Sequence, residues 1–98
     1  MTQGTSAQSQ EYNKEVKISN SLGLHARPAM QLVDLASRFE SSLQITKGEQ
    51  LVDAKSIMQV MTLAATQGTK LVLSATGPDA PEAIAALAKL IAEGFGEE

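Results

Sequence analysis

The sequence contains one histidine, His25, and its neighbours make it the first candidate for chemistry. Imidazole is the side chain whose ordinary titration lies near neutral pH, so it can act as a base or as a nucleophile. Arg27 adds a permanent charge and a fork of N–H donors that matches phosphate oxygens. Pro28 predicts that a helix starts here, because proline is tolerated in the first helical turn.

A helix starting at this point would add an anion site. The free N–H groups of its first turn, from Ala26 and Arg27, lie at the positive end of the helix dipole. A nucleophilic imidazole beside such a site is suited to carrying a phosphoryl group. The plain alternative is that His25 only occupies a turn or caps the helix, and nothing in the local sequence excludes it.

Ser56 opens a second segment of interest. Gln59 follows it at the spacing of a capping box, so Ser56 is predicted to begin a short helix that ends at the turn 67–69. On an ideal helix the apolar residues after Ser56 cover an arc of about 220°, wider than the roughly 100° of a core-facing stripe. Part of this surface is therefore predicted to be an exposed, adaptable docking patch. Its members are Ile57, Met58 and Met61.

The elements that position these residues follow from local patterns. Apolar and polar residues alternate over 12–19, 43–46 and 70–76, which predicts three strands. A turn at 47–49 predicts a fourth strand over 50–53, in a hairpin with the strand at 43–46. Apolar residues at helical spacing predict a helix over 26–39 and a last helix that Asp79 caps at its N-terminus and Gly94 stops at its C-terminus. Ser56 begins a third helix between them. This order fits a two-layer α+β fold, in which three helices cover one face of a mostly antiparallel sheet.

Length and composition limit the class of protein. With 98 residues the chain has room for one domain. We assign residues 1–11, rich in polar residues and glycine, to a flexible extension and residues 12–98 to the domain. The formal net charge of −3 argues against a nucleic-acid partner. The absence of cysteine and the single histidine argue against a metal site.

Two further features predict where the protein is found. No apolar run in the sequence is long enough to span a bilayer. The N-terminal residues MTQGTSAQSQ have neither the basic residues nor the apolar stretch of a secretory signal. The sequence therefore predicts a cytoplasmic protein that does not insert into a membrane.

Two runs of sequence resemble a known family. The run Gly23-Leu24-His25-Ala26-Arg27-Pro28-Ala29 is similar to the active-site signature of the HPr phosphocarriers of the phosphoenolpyruvate-dependent sugar phosphotransferase system. The runs 54–58 and 61–63 are similar to the regulatory-serine segment of that family, at the expected distance downstream. The resemblance covers residues 11–98 and implies an open-faced β-sandwich whose four-stranded antiparallel sheet has the order 1-4-2-3.

The resemblance also implies roles for these residues. His25 would accept a phosphoryl group on Nδ1 from enzyme I and donate it to an enzyme IIA domain, and Arg27 would stabilise the transferred charge. Ser56 would be the target of an ATP-dependent HPr kinase/phosphorylase. Such a carrier is not itself an enzyme, requires no cofactor or metal, and is expected to be a monomer.

Several alternatives stay open at this stage. The chain could belong to the nitrogen-related regulatory branch, which uses the same histidine loop, or it could be an interaction module with an idle histidine. It could also be a small hydrolase with His25 as general base; no motif supplies an acidic partner, but a carboxylate beside His25 in the folded chain would favour this hypothesis. Ser56 is also sufficiently explained as a helix cap, worth about 1 kcal/mol.

Overall fold

A computed structural model describes residues 10–97 of the chain. Most of the predicted extension, residues 1–9, and the final residue Glu98 lie outside the described residues. The first strand begins at Glu11, at the boundary between the predicted extension and the predicted domain.

The described chain forms a four-stranded sheet and three α-helices. In chain order the elements are β1 (Glu11–Lys17), α1 (Ala26–Ala36), β2 (Ser42–Lys47), β3 (Gln50–Asp53), α2 (Ile57–Met61), β4 (Lys70–Thr76) and α3 (Ala80–Ala92), followed by a 3₁₀ turn at Gly94–Gly96. All strand pairs are antiparallel, and the order across the sheet is β1-β4-β2-β3. The predicted α+β class and the strand order 1-4-2-3 are confirmed.

One face of the sheet carries the core. Alternate residues of β2 and β4 point inward, as their sequence pattern predicts. The buried side chains of these strands are Leu43, Ile45, Leu71, Leu73 and Ala75. Leu32 of α1 and Leu87 of α3 belong to the same cluster, while Val72 on the opposite face is partly exposed. The sheet is therefore covered by helices on one face and open on the other.

The helices differ from the prediction mainly at their ends. α1 ends at Ala36 instead of Phe39, because the N–H groups of Arg38 and Phe39 bond to carbonyls three residues back, at 3.1 and 3.2 Å. This tightening is typical of a last turn that leaves α-helical geometry. α3 is the longest helix described, with 13 residues. No helix among residues 10–97 has the length and apolar character needed to cross a membrane.

The predicted end of α2 was wrong. The helix ends at Met61, and Thr62 closes it by donating from Oγ1 to the carbonyl of Gln59 at 2.6 Å. Ala64 then adopts a left-handed conformation with φ +48°, and Leu63 turns into the core. The apolar arc predicted for a longer helix therefore does not form beyond Met61.

Asp79 occupies the N-cap position of α3, as predicted, but its side chain makes no capping bond. Its carboxylate instead accepts hydrogen bonds from Glu40 N at 3.0 Å, Ser41 N at 2.9 Å and Ser41 Oγ at 2.6 Å. These bonds tie the loop between α1 and β2 to the start of α3. They lower the pKa of Asp79 below its ordinary value of 3.8, with the Ser41 hydroxyl as the largest cause.

We expect Asp79→Asn to weaken the pH dependence of stability. Because the lowered pKa means that folded Asp79 binds its proton more weakly than in the unfolded chain, the carboxylate stabilises the fold above pH 3.8. That contribution is lost as the pH falls through the lowered pKa. The free energy of unfolding in urea should therefore fall less between neutral pH and about pH 3 in Asp79→Asn than in wild type.

The control for this prediction is Asp34→Asn, which changes an exposed carboxylate of α1. This variant should keep the wild-type decrease in stability at low pH. A decrease in Asp79→Asn equal to that of wild type would contradict the role assigned to the Asp79 carboxylate.

The segment after α3 returns to the loop between β1 and α1. Gly94 follows the helix with φ +67°, so the predicted glycine stop is confirmed. Phe95 is also left-handed, with φ +57°, and its side chain is buried. A Cβ built on Gly94 would lie 3.7 Å from Cβ of Asn20. The buried Phe95 ring therefore anchors a segment that passes beside the loop of Asn20.

Candidate functional site

His25 is the N-cap residue of α1. Its backbone is extended, with φ −85° and ψ −167°, and its carbonyl accepts the first helical hydrogen bond from Ala29 N at 2.9 Å. The imidazole makes no capping bond. Neither Ala26 N–H nor Arg27 N–H has a hydrogen-bond partner among residues 10–97, as expected for a first turn. The imidazole therefore lies where two backbone donors and the positive end of α1 are available.

A carboxylate lies against the imidazole. Nε2 of His25 is 3.0 Å from Oε1 of Glu97. The same oxygen accepts a hydrogen bond from Nδ2 of Asn20 at 3.1 Å, and Nδ2 also donates to the carbonyl of Gly23 at 2.7 Å. Asn20 is 1% exposed. A buried amide thus holds the carboxylate against the ring.

The ionisation of Glu97 determines which ring nitrogen is free. The hydrogen bond from His25 is the largest cause that lowers the pKa of Glu97 below its ordinary 4.5, and Asn20 and the charge of Arg27 also lower it. Glu97 is therefore ionised at neutral pH, and an ionised carboxylate only accepts hydrogen bonds. It follows that Nε2 carries the proton of the neutral ring and Nδ1 the lone pair. No other described residue hydrogen-bonds to the imidazole.

The loop before His25 is fixed against the segment that leaves α2. Leu24 N donates to the carbonyl of Ala65 at 2.8 Å. Gly23 is left-handed with φ +72°, and a Cβ at this position would lie 2.5 Å from Ala65 O. Only glycine fits this close approach of two backbones. Because Ala65 follows the left-handed Ala64, the end of α2 helps to set the position of His25.

Arg27 is in the first turn of α1 and is exposed. It forms no hydrogen bond or ion pair with another residue of the range 10–97. Its charge nevertheless acts on this site, since it contributes to the lowered pKa of Glu97. The guanidinium therefore acts on the carboxylate that contacts the imidazole, and it is available to an anion.

Ser56 is the N-cap of α2, and its Oγ accepts a hydrogen bond from Gln59 N at 3.2 Å. The second bond of a capping box is not formed: Gln59 Oε1 accepts from Asp53 N at 2.9 Å, and Ser56 N is occupied by the Asp53 carbonyl at 3.1 Å. Within the described residues Ser56 makes no hydrogen bond to the loop of His25. The structure therefore places Ser56 on a neighbouring element, outside the contacts of the imidazole.

The α2 patch, formed by Ile57, Met58 and Met61, is exposed to different degrees. Met58 is 80% exposed, whereas Ile57 and Met61 are 37% and 42% exposed. α2 contacts α1, so the patch lies beside the helix that begins at His25. Two more apolar side chains are exposed: Leu22, in the loop before α1, and Met30, on α1 itself. The sequence analysis did not single them out.

The sequence analysis also missed Asn20 and Glu97. In the sequence, Asn20 directly follows the predicted strand 12–19 and Glu97 follows the last predicted helix, so local patterns mark neither as a site residue. One signal was present in the sequence, since Phe95 is an isolated aromatic residue between two glycines. A large apolar side chain in such a segment favours burial, which would have brought the neighbouring residues back to the domain.

The described residues contain no group of three or more histidine, cysteine, aspartate or glutamate side chains arranged to hold a metal ion. Chemistry at this site depends on one imidazole, one carboxylate, one guanidinium and the first turn of α1.

Together the fold and the site define a class: an open-faced α+β sandwich that presents a single histidine at the start of a helix. A family model described as "PTS HPr component phosphorylation site" matches residues 12–93. The chain belongs to the HPr family, the phosphocarriers of the phosphotransferase system.

Similar proteins support the same assignment. The chain is 48% identical over 84 residues to phosphocarrier protein HPr of Cupriavidus necator, covering 86% of this chain and 94% of that protein. The crystal structure of HPr-C-His from Thermoanaerobacter tengcongensis matches with a TM-score of 0.86 and 47% identity, over 89% of this chain and 98% of that chain. An HPr dimer from the same organism matches with a TM-score of 0.72 and 43% identity, over 99% of this chain and 100% of that chain.

Family membership decides between the carrier and hydrolase hypotheses. The carboxylate that the hydrolase hypothesis required is present, because Glu97 contacts His25. An HPr protein, however, is a phosphocarrier and not a catalyst in itself. The contact between Glu97 and His25 must therefore be explained within phosphoryl transfer.

Proposed function

We propose that this chain carries a phosphoryl group on Nδ1 of His25, accepting it from phospho-enzyme I and passing it to an enzyme IIA domain. The observation that supports this proposal is the orientation of the imidazole. Nε2 donates to Glu97 at 3.0 Å, which leaves the lone pair on Nδ1 of a residue at the N-cap of α1. The chain supplies the nucleophile, and turnover depends on the two partner enzymes.

Arg27 has the role of stabilising charge during transfer. The phosphoryl group passes through a transition state whose negative charge is spread over its peripheral oxygens. A guanidinium offers paired N–H donors that match two such oxygens. Because Arg27 has no ion pair within residues 10–97, it is free to make this interaction without breaking another.

Incubation with phosphoenolpyruvate and a catalytic amount of enzyme I tests this function. Intact-mass analysis should show the addition of one phosphoryl group, and brief treatment with acid should remove it, as expected for a phosphoramidate. No addition, or an acid-stable phosphate, would contradict the proposal.

We further propose that the protein acts in the cytoplasm as a monomer and docks on its partners through the α2 patch. A carrier must present the same histidine to a donor and then to an acceptor, so the surface around His25 has to stay accessible. Exposed methionines suit a surface that meets more than one partner, since their side chains adapt to different shapes. Met58 is the most exposed member of this patch.

Ser56 is proposed as a regulatory phosphorylation site for an ATP-dependent HPr kinase/phosphorylase. A phosphate on Ser56 would add about −1.5 to −2 charges next to Ile57 and Met58. The fold should tolerate this charge, because it lies at the start of a helix. Docking would be weakened, since an apolar contact would have to accommodate a dianion that loses its water.

We expect Ser56→Asp to imitate part of this effect. It should raise the concentration of the protein needed for half-maximal phosphorylation by enzyme I, whereas Ser56→Ala should block the kinase and keep transfer near the wild-type rate. Ser56→Ala should also lower the free energy of unfolding by about 1 kcal/mol, because the hydrogen bond to Gln59 N is lost.

Ser42→Asp is the matched control for Ser56→Asp. It adds the same charge at an exposed position of β2, on the open face of the sheet, and should leave the concentration dependence unchanged. If Ser56→Asp and wild type show the same concentration dependence and no kinase modifies Ser56, the serine acts only as a helix cap.

A further inference from the structure

We infer that Glu97 is a positioning residue for phosphoryl transfer: held by Asn20, its carboxylate fixes the imidazole of His25 with Nε2 as donor and offsets the positive charge that the ring gains when Nδ1 bonds phosphorus. This inference rests on the proposed function, because it concerns the same histidine. It assigns a role to a segment that lies 72 residues from His25 in the sequence.

The first support is the way in which the carboxylate is held. Asn20 is buried, and its Nδ2 donates both to Glu97 Oε1 and to the Gly23 carbonyl. Oδ1 of Asn20, in contrast, is buried with no hydrogen-bond partner in the structure. The amide thus keeps two donated bonds at the expense of an unsatisfied acceptor. This pattern fits a residue that serves to orient Glu97 and the loop of Gly23.

The second support is the path of the chain. Phe95 is buried in a left-handed conformation, and Ser19 Oγ donates to the carbonyl of Ile91 at 3.3 Å. Both contacts fasten the end of α3 and the segment after it to the body of the protein. Glu97 therefore contacts His25 from a segment that is fixed to the core. The side chain of Glu97 is 19% exposed and that of His25 is 37% exposed.

The third support is the charge balance of the transfer step. The lone pair of Nδ1 forms the new bond to phosphorus, while the bond between phosphorus and its donor atom on enzyme I breaks and leaves its electron pair on that atom. Nε2 keeps its proton, so the ring becomes a phosphoimidazolium. In the onward step the P–Nδ1 bond breaks, its electron pair returns to Nδ1, and the ring is neutral again. No proton has to move in either step.

A carboxylate on Nε2 favours both steps of this cycle. In the first step it stabilises the cationic ring through a charge-assisted hydrogen bond. In the onward step it holds the proton on Nε2, so that the ring leaves phosphorus as neutral imidazole. The two ring nitrogens project in divergent directions, so Glu97 does not occupy the space that the phosphoryl group needs at Nδ1.

Three variants separate the components of this role. Glu97→Ala removes both the acceptor and the charge, Glu97→Gln keeps an acceptor without the charge, and Glu97→Asp keeps the charge on a shorter side chain. Glu93→Gln, an exposed position in the same segment, removes the same charge without touching His25. Urea unfolding of each variant checks that the fold is intact.

The first measurement is the rate of phosphorylation by enzyme I and of the return of the group. Glu97→Ala should lower both rates by about ten- to one-hundred-fold. This is the range found when the hydrogen-bond partner that orients a metal-binding histidine is removed. Glu97→Gln should lie between Glu97→Ala and wild type, and Glu93→Gln should match wild type. Equal rates in Glu97→Ala and wild type, or equal losses in Glu97→Gln and Glu93→Gln, would overturn the inference.

The second measurement uses the single histidine of the chain. Nitrogen NMR of histidine-labelled protein reports only His25 and shows directly which ring nitrogen carries the proton. Wild type and Glu97→Gln should show Nε2 protonated and Nδ1 unprotonated in the neutral ring, and Glu97→Ala should show a mixture of both tautomers. A purely structural role of Glu97 would leave this signature unchanged, and that result would overturn the inference.

The two measurements also distinguish this inference from the proposed function. If wild type is not phosphorylated at all, the proposed function fails, and the NMR comparison still decides whether Glu97 sets the tautomer. If wild type is phosphorylated and Glu97→Ala behaves like it in both measurements, the carrier function stands and the role of Glu97 is wrong.

Discussion

Replacing His25 with alanine is expected to abolish phosphorylation by phosphoenolpyruvate and enzyme I while the fold stays intact. The substitution removes the only imidazole of the chain, and the alanine methyl group has no lone pair with which to attack phosphorus. Neither Arg27 nor Glu97 can replace it, since a guanidinium is a poor nucleophile and Glu97 is anchored on the Nε2 side of the ring. Intact-mass analysis should show the unmodified protein at all times of incubation.

The stability of His25→Ala is the control for this prediction. The side chain of His25 is 37% exposed and makes no capping bond, so its removal should change the free energy of unfolding by about 1 kcal/mol or less. Binding of the variant to enzyme I should persist, because the α2 patch is unchanged. An acid-labile phosphate on His25→Ala would contradict the assignment of the nucleophile.

Most of the fold is predictable from local patterns. The strands β2 and β4 alternate between apolar and polar residues, and their inward residues Leu43, Ile45, Leu71 and Leu73 are buried as this pattern predicts. The helix starts are equally local, because a proline or a capping serine marks each of them. Hydrophobic periodicity and the residues that start helices depend only on neighbours in the sequence. The folded chain therefore keeps the strands and helix starts that they predict.

The deviations have a tertiary cause. α2 ends at Met61, and the chain then changes direction at Ala64, which is left-handed. The carbonyl of the next residue, Ala65, accepts the hydrogen bond of Leu24 N from the loop before α1. An alanine carries no sign of this in the sequence. Asp79 likewise does not form the predicted capping bond. Its carboxylate accepts a hydrogen bond from the hydroxyl of Ser41, which is 38 residues away in the sequence.

The candidate site also combines residues that the local sequence identifies with residues that only the tertiary structure brings together. His25 and Arg27 belong to one short run around a helix start, so residue type and spacing were sufficient to single them out. Asn20 and Glu97 meet across 77 residues of sequence, and their contact depends on how Phe95 and Gly94 place the segment after α3. Sequence reasoning therefore found the proposed nucleophile and the arginine two residues after it, but not the groups that we propose to orient the ring.

We propose that Arg27 acts in both states of the carrier. In the unphosphorylated chain its charge acts on Glu97, whose pKa it helps to lower. During transfer the same charge would act on the phosphoryl oxygens at Nδ1. Arg27 is exposed and has no ion pair with another residue of the described range 10–97. It can therefore turn to the phosphoryl oxygens without first breaking a salt bridge.

Arg27→Ala is expected to slow phosphoryl transfer to and from His25. Removing one preorganised donor that stabilises developing charge typically costs about 2.7 to 4 kcal/mol, which corresponds to a loss of about 10²- to 10³-fold in rate. The same loss should appear in both directions, because the forward and reverse reactions share one transition state. Arg27→Lys should recover part of the rate, since lysine keeps the charge without the paired donors.

Rapid-mixing measurements with enzyme I and with an enzyme IIA domain check this prediction, and Arg38→Ala is the matched control. Arg38 is also exposed, and it lies beyond the opposite end of α1, so its removal changes the net charge equally but should leave the rates unchanged. Equal losses in both variants would mean that Arg27 acts only through the overall charge seen by the partners. Wild-type rates in Arg27→Ala would show that the transferred group is stabilised by the backbone of α1 or by the partner alone.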